Sequence, residues 1–429
     1  MKTERNRLSI FATLLISGSA AIAANGPTVY PIETRLDQMT APTAFAATQA
    51  TPVNGAISEN VATSTERILN QEAHFLKKGS VQVIGDDSVS AWEMVSDEGG
   101  KGHDQTAPNP LTYFAAGAAS DLLTQVERSA QILDLKIDDA KVETKIFFRW
   151  SDPFTPTWAG YTDKVIANIL IESSESPEKI DELKQMALKA WAIGESLANK
   201  TKIDSATVIN GNHWVGQEAR PGRVGTPISI DHGFKLTDIT PDLNLQTVDI
   251  EEDLALQMNN LPQSFKFTEI GIAESAHDAQ RPYLHKIRAK SLTENYATWE
   301  LYADDSRGVE GIDKAPSSWD YFTLGTSDCL MSQLTANQMY FQKQGIHIDD
   351  FRVEHQFHFQ QDNFMTPTMT GRFNDTSDVI TRILVKSDSN KEAVTNFAVQ
   401  SLRCCFAGEG IQNETEMETV LYLNGNVIK

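Results

Sequence analysis

The chain resembles itself. Residues 108–125 (PNPLTYFAAGAASDLLTQ) align with 316–333 (PSSWDYFTLGTSDCLMSQ) at an offset of 208. Pro108/Pro316, Tyr113/Tyr321, Phe114/Phe322, Gly117/Gly325, Leu122/Leu330 and Gln125/Gln333 are identical across the pair. Just downstream, 136–148 aligns with 347–359 at an offset of 211, and 188–201 with 402–415 at 214. Upstream, Trp92-Glu93-Met94 matches Trp299-Glu300-Leu301. The order is kept and the offsets drift slowly. That pattern reads as a tandem duplication of one domain of about 130–150 residues, an ordinary domain size. Whatever fold one copy takes, the other must take too.

Each copy carries the same element signals. Residues 90–98 and 296–305 have strand composition. A long apolar stretch then starts at the Pro and runs to about 135, or 344 in the second copy, as a buried helix does. Residues 136–149 and 347–360 alternate apolar and polar side chains, the period of a strand. Strands are expected again at 165–171 and 378–385, helices at 177–199 and 391–408, and closing strands at 206–210 and 419–423. The order β-β-α-β-β-α-β defines an α+β class, with helices packed on antiparallel sheet. Two segments fall outside the repeat. Residues 25–70 are rich in Thr, Ala, Pro and Asn and read as an N-terminal extension. Residues 211–280 join the copies and receive no activity. The organisation expected is therefore 1–24, 25–70, 71–210, 211–280 and 281–429.

Residues 1–24 read as an address. Lys2, Arg5 and Arg7 precede an apolar run from Leu8 to Ile16, and Ala21-Ile22-Ala23 has the small-residue pattern of a cleavage site. The run is short for a membrane span, and no later stretch approaches 18 apolar residues. A secretory signal peptide is expected, with export to a periplasm or the exterior, where thiols tend towards disulfides. A formal charge of −21 repels phosphate backbones, so nucleic acid is an unsuitable partner. Three cysteines, Cys329, Cys404 and Cys405, are too few to build a disulfide scaffold.

The repeated frame resembles the OsmC/Ohr family, the osmotically inducible and organic-hydroperoxide-resistance proteins. The family pattern is a Pro followed by an apolar helix of the form PxxLFAAGxxxC, with a second Cys at the start of the second long helix. Here 321–329 reads YFTLGTSDC and puts Cys329 at the first position. Residues 405–408 (CFAG) put Cys405 at the second, with Cys404 as the fallback. The first copy keeps the frame in YFAAGAASD, but Asp121 and Trp191 replace the two cysteines. In the second copy Trp319 stands where the family has an acidic residue, with Asp320 adjacent, and Phe406 replaces a Pro.

The resemblance implies two tandem OsmC-like domains that pair within one chain as a pseudo-dimer, with the long central helices packed together. It implies a thiol peroxidase in which Cys329 attacks an organic hydroperoxide and Cys405 resolves the sulfenic acid as a disulfide. Arg307, in the loop before the helix, matches the place of the family's thiolate-stabilising cation. Such an enzyme needs an external dithiol reductant and no metal or organic cofactor. The first copy becomes a non-catalytic half that shapes the pocket.

Blander readings stand beside these. A buried Cys is often only a small hydrophobe. Arg307 has acidic neighbours at Asp304, Asp305 and Glu310 and could form a surface ion pair. His355 and His358 have HxxH spacing, but residues three apart on a strand face opposite sides. A non-catalytic binding protein for a small apolar ligand is the alternative function.

Overall fold

The computed structural model describes residues 33–36, 55–68, 75–83, 91–98, 105–211, 213–216, 238–239, 246–247, 266–277, 283–293, 296–305, 311, 313–374 and 379–428. The first half runs β1 (Glu33–Leu36), β2 (Ile57–Arg67), β3 (Lys77–Val83), β4 (Ala91–Ser96), α1 (Pro110–Ile132), β5 (Asp139–Ser151), β6 (Ala159–Glu172), α2 (Pro177–Ala190), α3 (Ala192–Ala198), β7 (Ile203–Ile209) and β8 (His213–Gly216). Two short strands follow, β9 (Asp238–Ile239) and β10 (Gln246–Thr247). The second half runs β11 (Lys266–Ser275), β12 (His285–Ser291), β13 (Trp299–Ala303), α4 (Ser318–Gln342), β14 (Asp350–Asp362), β15 (Thr370–Phe373), β16 (Val379–Lys386), α5 (Lys391–Cys404), α6 (Phe406–Gln412), β17 (Glu416–Leu423) and β18 (Asn426–Ile428).

Neither half builds a sheet alone. One sheet runs β8-β7-β16-β14-β2-β3-β4-β1-β9, with β15 beside β14. The other runs β10-β13-β12-β11-β5-β6-β17-β18. Thus β2–β4 of the first half continue into β14 and β16 of the second, and β11–β13 of the second continue into β5 and β6 of the first. The halves are intertwined, each completing the other's sheet.

Two features differ from the sequence expectation. The sheets are mixed, because β7 lies parallel to β16 and β17 parallel to β6. In both pairs the closing strand of one half joins the sheet of the other, and the crossover through the short helices brings it in with that direction. The segments 25–70 and 211–280 also hold strands, the longest of them β2 and β11. Both mix Ser, Thr and Glu with their apolar residues, so alternation is weak in the sequence. Yet the middle of each is buried, with register to both neighbours.

The core is the helix pair between the sheets. Asn109 caps α1 by accepting the Thr112 N–H at 2.9 Å, and Pro110 occupies its first turn. Ser317 and Asp320 form a reciprocal capping box at α4: Ser317 Oγ accepts the Asp320 N–H at 3.1 Å, and Asp320 Oδ2 accepts the Ser317 N–H at 2.8 Å. Helix α1 packs on β5, β11 and β12, α4 on β2, β3 and β14, and the two helices on each other. Across that crossing Phe114 stacks on Phe322 at 4.3 Å and Tyr113 on Tyr321 at 5.6 Å. Each such pair contributes about 0.5–1.5 kcal/mol beyond its buried area. Both helices are buried nearly all round for most of their length, so they read in sequence as apolar and small-residue runs.

Candidate functional site

The second long helix of each half is broken. Continuous helices were expected over 177–199 and 391–408; the chain instead turns out of helical geometry at Trp191 (ψ 93°) and Cys405 (ψ 110°) and restarts one residue later. Strand glycines make room for the break. A Cβ on Gly160 would overlap the Cys404 carbonyl, and one on Gly371 the Ala190 carbonyl. Each of these glycines belongs to the opposite half from the break it accommodates.

The break turns Cys405 inward. Its sulfur accepts the Gly408 N–H at 3.3 Å, capping α6, and lies 4.0 Å from the Thr326 carbonyl of α4. There it meets Cys329, which also accepts the Ala407 N–H. The two thiols are within hydrogen-bonding reach, and each residue is 2 % exposed. Cys404 faces away, against Trp158 and Ala336, with its thiol on the Trp158 carbonyl at 3.4 Å. Burial pushes the Cys404 thiol up to about 12. All three cysteines are free thiols.

Cys329 opens onto a cavity of about 470 Å³ between the halves. Cys329, Gln333, Ala336, Tyr340 and Lys343 line it in steps of three or four along α4. At 1.5 Å per residue the fourteen steps from Cys329 to Lys343 span roughly 21 Å, so the cavity is a trough along the helix. Its aromatic walls are Phe75, Trp150 and Phe154 from the first half and Phe267 and Phe406 from the second. Phe406, at the place of the family's Pro, stacks on Trp150 at 5.2 Å.

The lining also carries polar and titratable groups. Glu269 of β11 is 1 % exposed and accepts from Thr112 Oγ1 at 2.9 Å and from the Asn109 amide at 3.3 Å. Burial raises its carboxyl to about 8 despite those donors, so it is mostly protonated at neutral pH. Tyr296 is shifted upward by burial and then by Glu98 and Glu269. Glu98 pairs with Lys77 at 3.6 Å. Cys329 itself is shifted well upward, by burial first, then by Cys405, with Glu98 adding to the effect and the Ala407 N–H opposing it. The resting thiol is neutral.

Of the residues singled out in the sequence, Cys329 and Cys405 come together. Arg307 lies outside the described residues. Among the described lining residues the cations are Lys266 and Lys343. Asp320 is a helix cap, buried with its carboxyl raised to about 7, and Trp319 stacks on Phe359 at 4.8 Å. His355 is buried against Phe357, while His358 Nδ1 lies 3.2 Å from Asn60 Oδ1. Among the described residues no group of three or more His, Cys, Asp or Glu could hold a metal ion. Glu98, Glu269 and Gln333 were not foreseen. Glu269 sits in the segment given no activity; Gln333 was visible as one of the residues identical in both copies.

The matching place in the first half is built differently. Asp121 accepts the Ile193 N–H at 3.0 Å and the Gln125 amide at 3.1 Å. Arg128 stands where the second half has Ala336, and it is buried at 1 % exposure. It pairs with Asp305 at 2.6 Å and bonds Gln361 at 3.2 Å, beneath the Tyr283 and Phe364 rings. A large cation therefore replaces the small residue that helps to form the trough.

Intertwined α+β halves with paired long helices and a site between them define the class of protein. Comparison with known proteins bears on one stretch: residues 102–206 match the family model described as OsmC-like protein, and this stretch is an OsmC-like domain. The match falls on the half that carries Asp121. Among solved structures, the chain is similar to an OsmC-like hydroperoxide resistance protein from Jannaschia sp. CCS1. The identity is 17 %, over 37 % of this chain and 99 % of that one, with a TM-score of 0.24. No curated protein matches the chain.

Proposed function

We propose that this protein is a thiol-dependent peroxidase for organic hydroperoxides, with Cys329 as the attacking thiol and Cys405 as the resolving one. The observation that carries the reading is the contact between these two thiols at the wall of an apolar trough. The Cys329 sulfur attacks the outer peroxide oxygen; an S–O bond forms and the O–O bond breaks. The alkoxide takes up the thiol proton and leaves as an alcohol. The Cys405 thiol then attacks the sulfenic acid, releasing water and forming the disulfide. An external dithiol returns two electrons and two protons. The aromatic walls favour an alkyl or aryl hydroperoxide over hydrogen peroxide. Arg307 is assigned as the cation that stabilises the thiolate during attack, on the family resemblance.

The chain is read as a tandem duplication, with 71–210 and 281–429 as the two OsmC-like domains. The first contributes walls, and the second contributes the thiols. The repeated element order and the reciprocal strand exchange support this. Residues 1–24 support export to a periplasm or the exterior. Among the described residues no helix is long and apolar enough to cross a membrane.

The test is consumption of cumene hydroperoxide by the purified protein with a dithiol reductant, beside Cys329→Ser. The reading requires turnover in the wild type that disappears in the variant while the circular dichroism spectrum is unchanged. A second reading, a non-catalytic binding protein for a small apolar ligand, is favoured by the neutral resting thiol. It gains if the wild type shows no turnover although Cys329 is reduced and accessible.

A further inference from the structure

The first half shows what the site does with an acceptor carrying two oxygens. Asp121 occupies the position of Cys329, at an offset of 208, and Ile193 that of Ala407, at 214. The Ile193 N–H donates to Asp121 as the Ala407 N–H does to Cys329. The second oxygen of Asp121 is held by Gln125, one helical turn further on. Gln125 has an identical counterpart at the same offset, Gln333, one turn beyond Cys329.

Gln333 is 4 % exposed and lines the trough. Its Oε1 is buried without a hydrogen-bond partner among the described residues, as is that of Gln125. A buried amide left partly unsatisfied is costly, so its place beside the thiol calls for a reason. In the first half the spare donor is used on a carboxylate. In the second half the residue one turn before the amide is a thiol, which needs no such donor until it becomes an anion or gains an oxygen.

We infer that the Gln333 side-chain amide is the hydrogen-bond donor that holds the Cys329 thiolate during peroxide attack and then the oxygen of the sulfenic acid. The oxygen-holding part of this role rests on the peroxidase reading; the thiolate part can be measured without it. Asp121 acts as a built-in likeness of oxidised Cys329: its two oxygens, held by the Ile193 N–H and the Gln125 amide, stand for the sulfur and the single oxygen of the sulfenic acid at the equivalent helix position. The groups that bear on Cys329 come from several elements. Cys405 at the α5–α6 junction and Glu98 after β4 act on it directly, while Lys266 and Glu269 on β11, Tyr296 before β13 and Lys343 just past α4 line the same trough. In Gln333→Leu all of these remain, and only the donor is lost.

The experiment is the pH profile of Cys329 alkylation by iodoacetamide in the full protein, read by mass spectrometry of the Cys329 peptide. Wild type is compared with Gln333→Leu and with Gln333→Glu, which keeps the shape and replaces the NH2 donor by an oxygen. Loss of a hydrogen bond to a charged sulfur predicts alkylation slower by about tenfold or more at a given pH in both variants. Peroxide turnover should fall by a similar factor if the peroxidase reading holds. Should Gln333→Leu fail to fold, the near-isosteric Gln333→Glu decides. A wild-type alkylation profile in a folded variant overturns the proposal, whether or not the wild type consumes peroxide. A shifted profile in a protein without turnover keeps the thiolate donor, removes the oxygen-holding role and sinks the peroxidase reading alone.

Discussion

Gly117 and Gly325 meet each other's helices in the same way. A Cβ on Gly117 would lie 2.6 Å from the Ser318 carbonyl and 2.7 Å from the Phe322 nitrogen; one on Gly325 would lie 2.6 Å from the Pro110 carbonyl and 2.7 Å from the Phe114 nitrogen. The obstacles are backbone atoms, which cannot rotate aside. The two glycines set how closely α1 and α4 cross, and with that the stacking of Phe114 on Phe322.

Gly325→Ala and Gly117→Ala should therefore each destabilise the protein, by about 1–3 kcal/mol as overpacked cores do. Urea denaturation midpoints measure it. A loss below about 0.5 kcal/mol in both would show that the helices separate freely, and the close crossing would lose its structural importance.

Cys405→Ser should keep the fold, since Ser is a good N-cap and can accept the Gly408 N–H in place of sulfur. Peroxide-treated protein should then accumulate Cys329 sulfenic acid, trapped by a cyclic diketone and seen as an added mass. Cys404→Ser should turn over and form the disulfide as the wild type does. If the two variants exchange these behaviours, the pairing of Cys329 with Cys405 is wrong.

Glu98 opposes ionisation of Cys329. Glu98→Gln removes a negative charge from beside the thiol, so the pH midpoint of Cys329 alkylation should move down, giving faster alkylation at neutral pH. An unchanged or higher midpoint would show that the Glu98 charge does not act on the Cys329 thiol.

Glu269 gives a stability signature with a definite sign. Its carboxyl is raised from 4.5 to about 8 in the fold. Between those values the folded state holds a proton that the unfolded state has released, so stability is fully present below 4.5 and is lost as pH rises towards 8. Asp121 and Asp320, each raised to about 7, act in the same direction over their own windows. Glu269→Gln mimics the protonated form and keeps an acceptor for the Thr112 hydroxyl. Its denaturation midpoint should gain on the wild type as pH rises from 5 to 8, by up to about tenfold in the folding constant per pH unit. Parallel curves for the two proteins would remove Glu269 from the account.

Much of this architecture is written along the chain. The Pro-Tyr-Phe-Gly frame occurs twice. Periodicity marks the long buried helices and the strands after them, and local chemistry marks their starts, because caps and apolar period act over a few residues. Cys329 and Cys405 are candidates for a different reason: the frame resembles the OsmC/Ohr pattern and they stand at its two cysteine places.

What the tertiary structure decided is everything that depends on the two halves meeting. The backbone break at Cys405 turns that thiol, and not Cys404, towards Cys329; a helical period running through both cysteines cannot choose between them. The break is held by Gly160 from the other half. Glu269 becomes part of the site only because β11 pairs with β5 and brings its carboxyl to the cap of α1, a contact made across 160 residues of sequence. Burial, which neutralises Glu269 and the resting Cys329 thiol, is a property of that meeting. Sequence encodes the local preferences, while the dielectric and the neighbours that set a side chain's chemistry exist only once the sheets are shared.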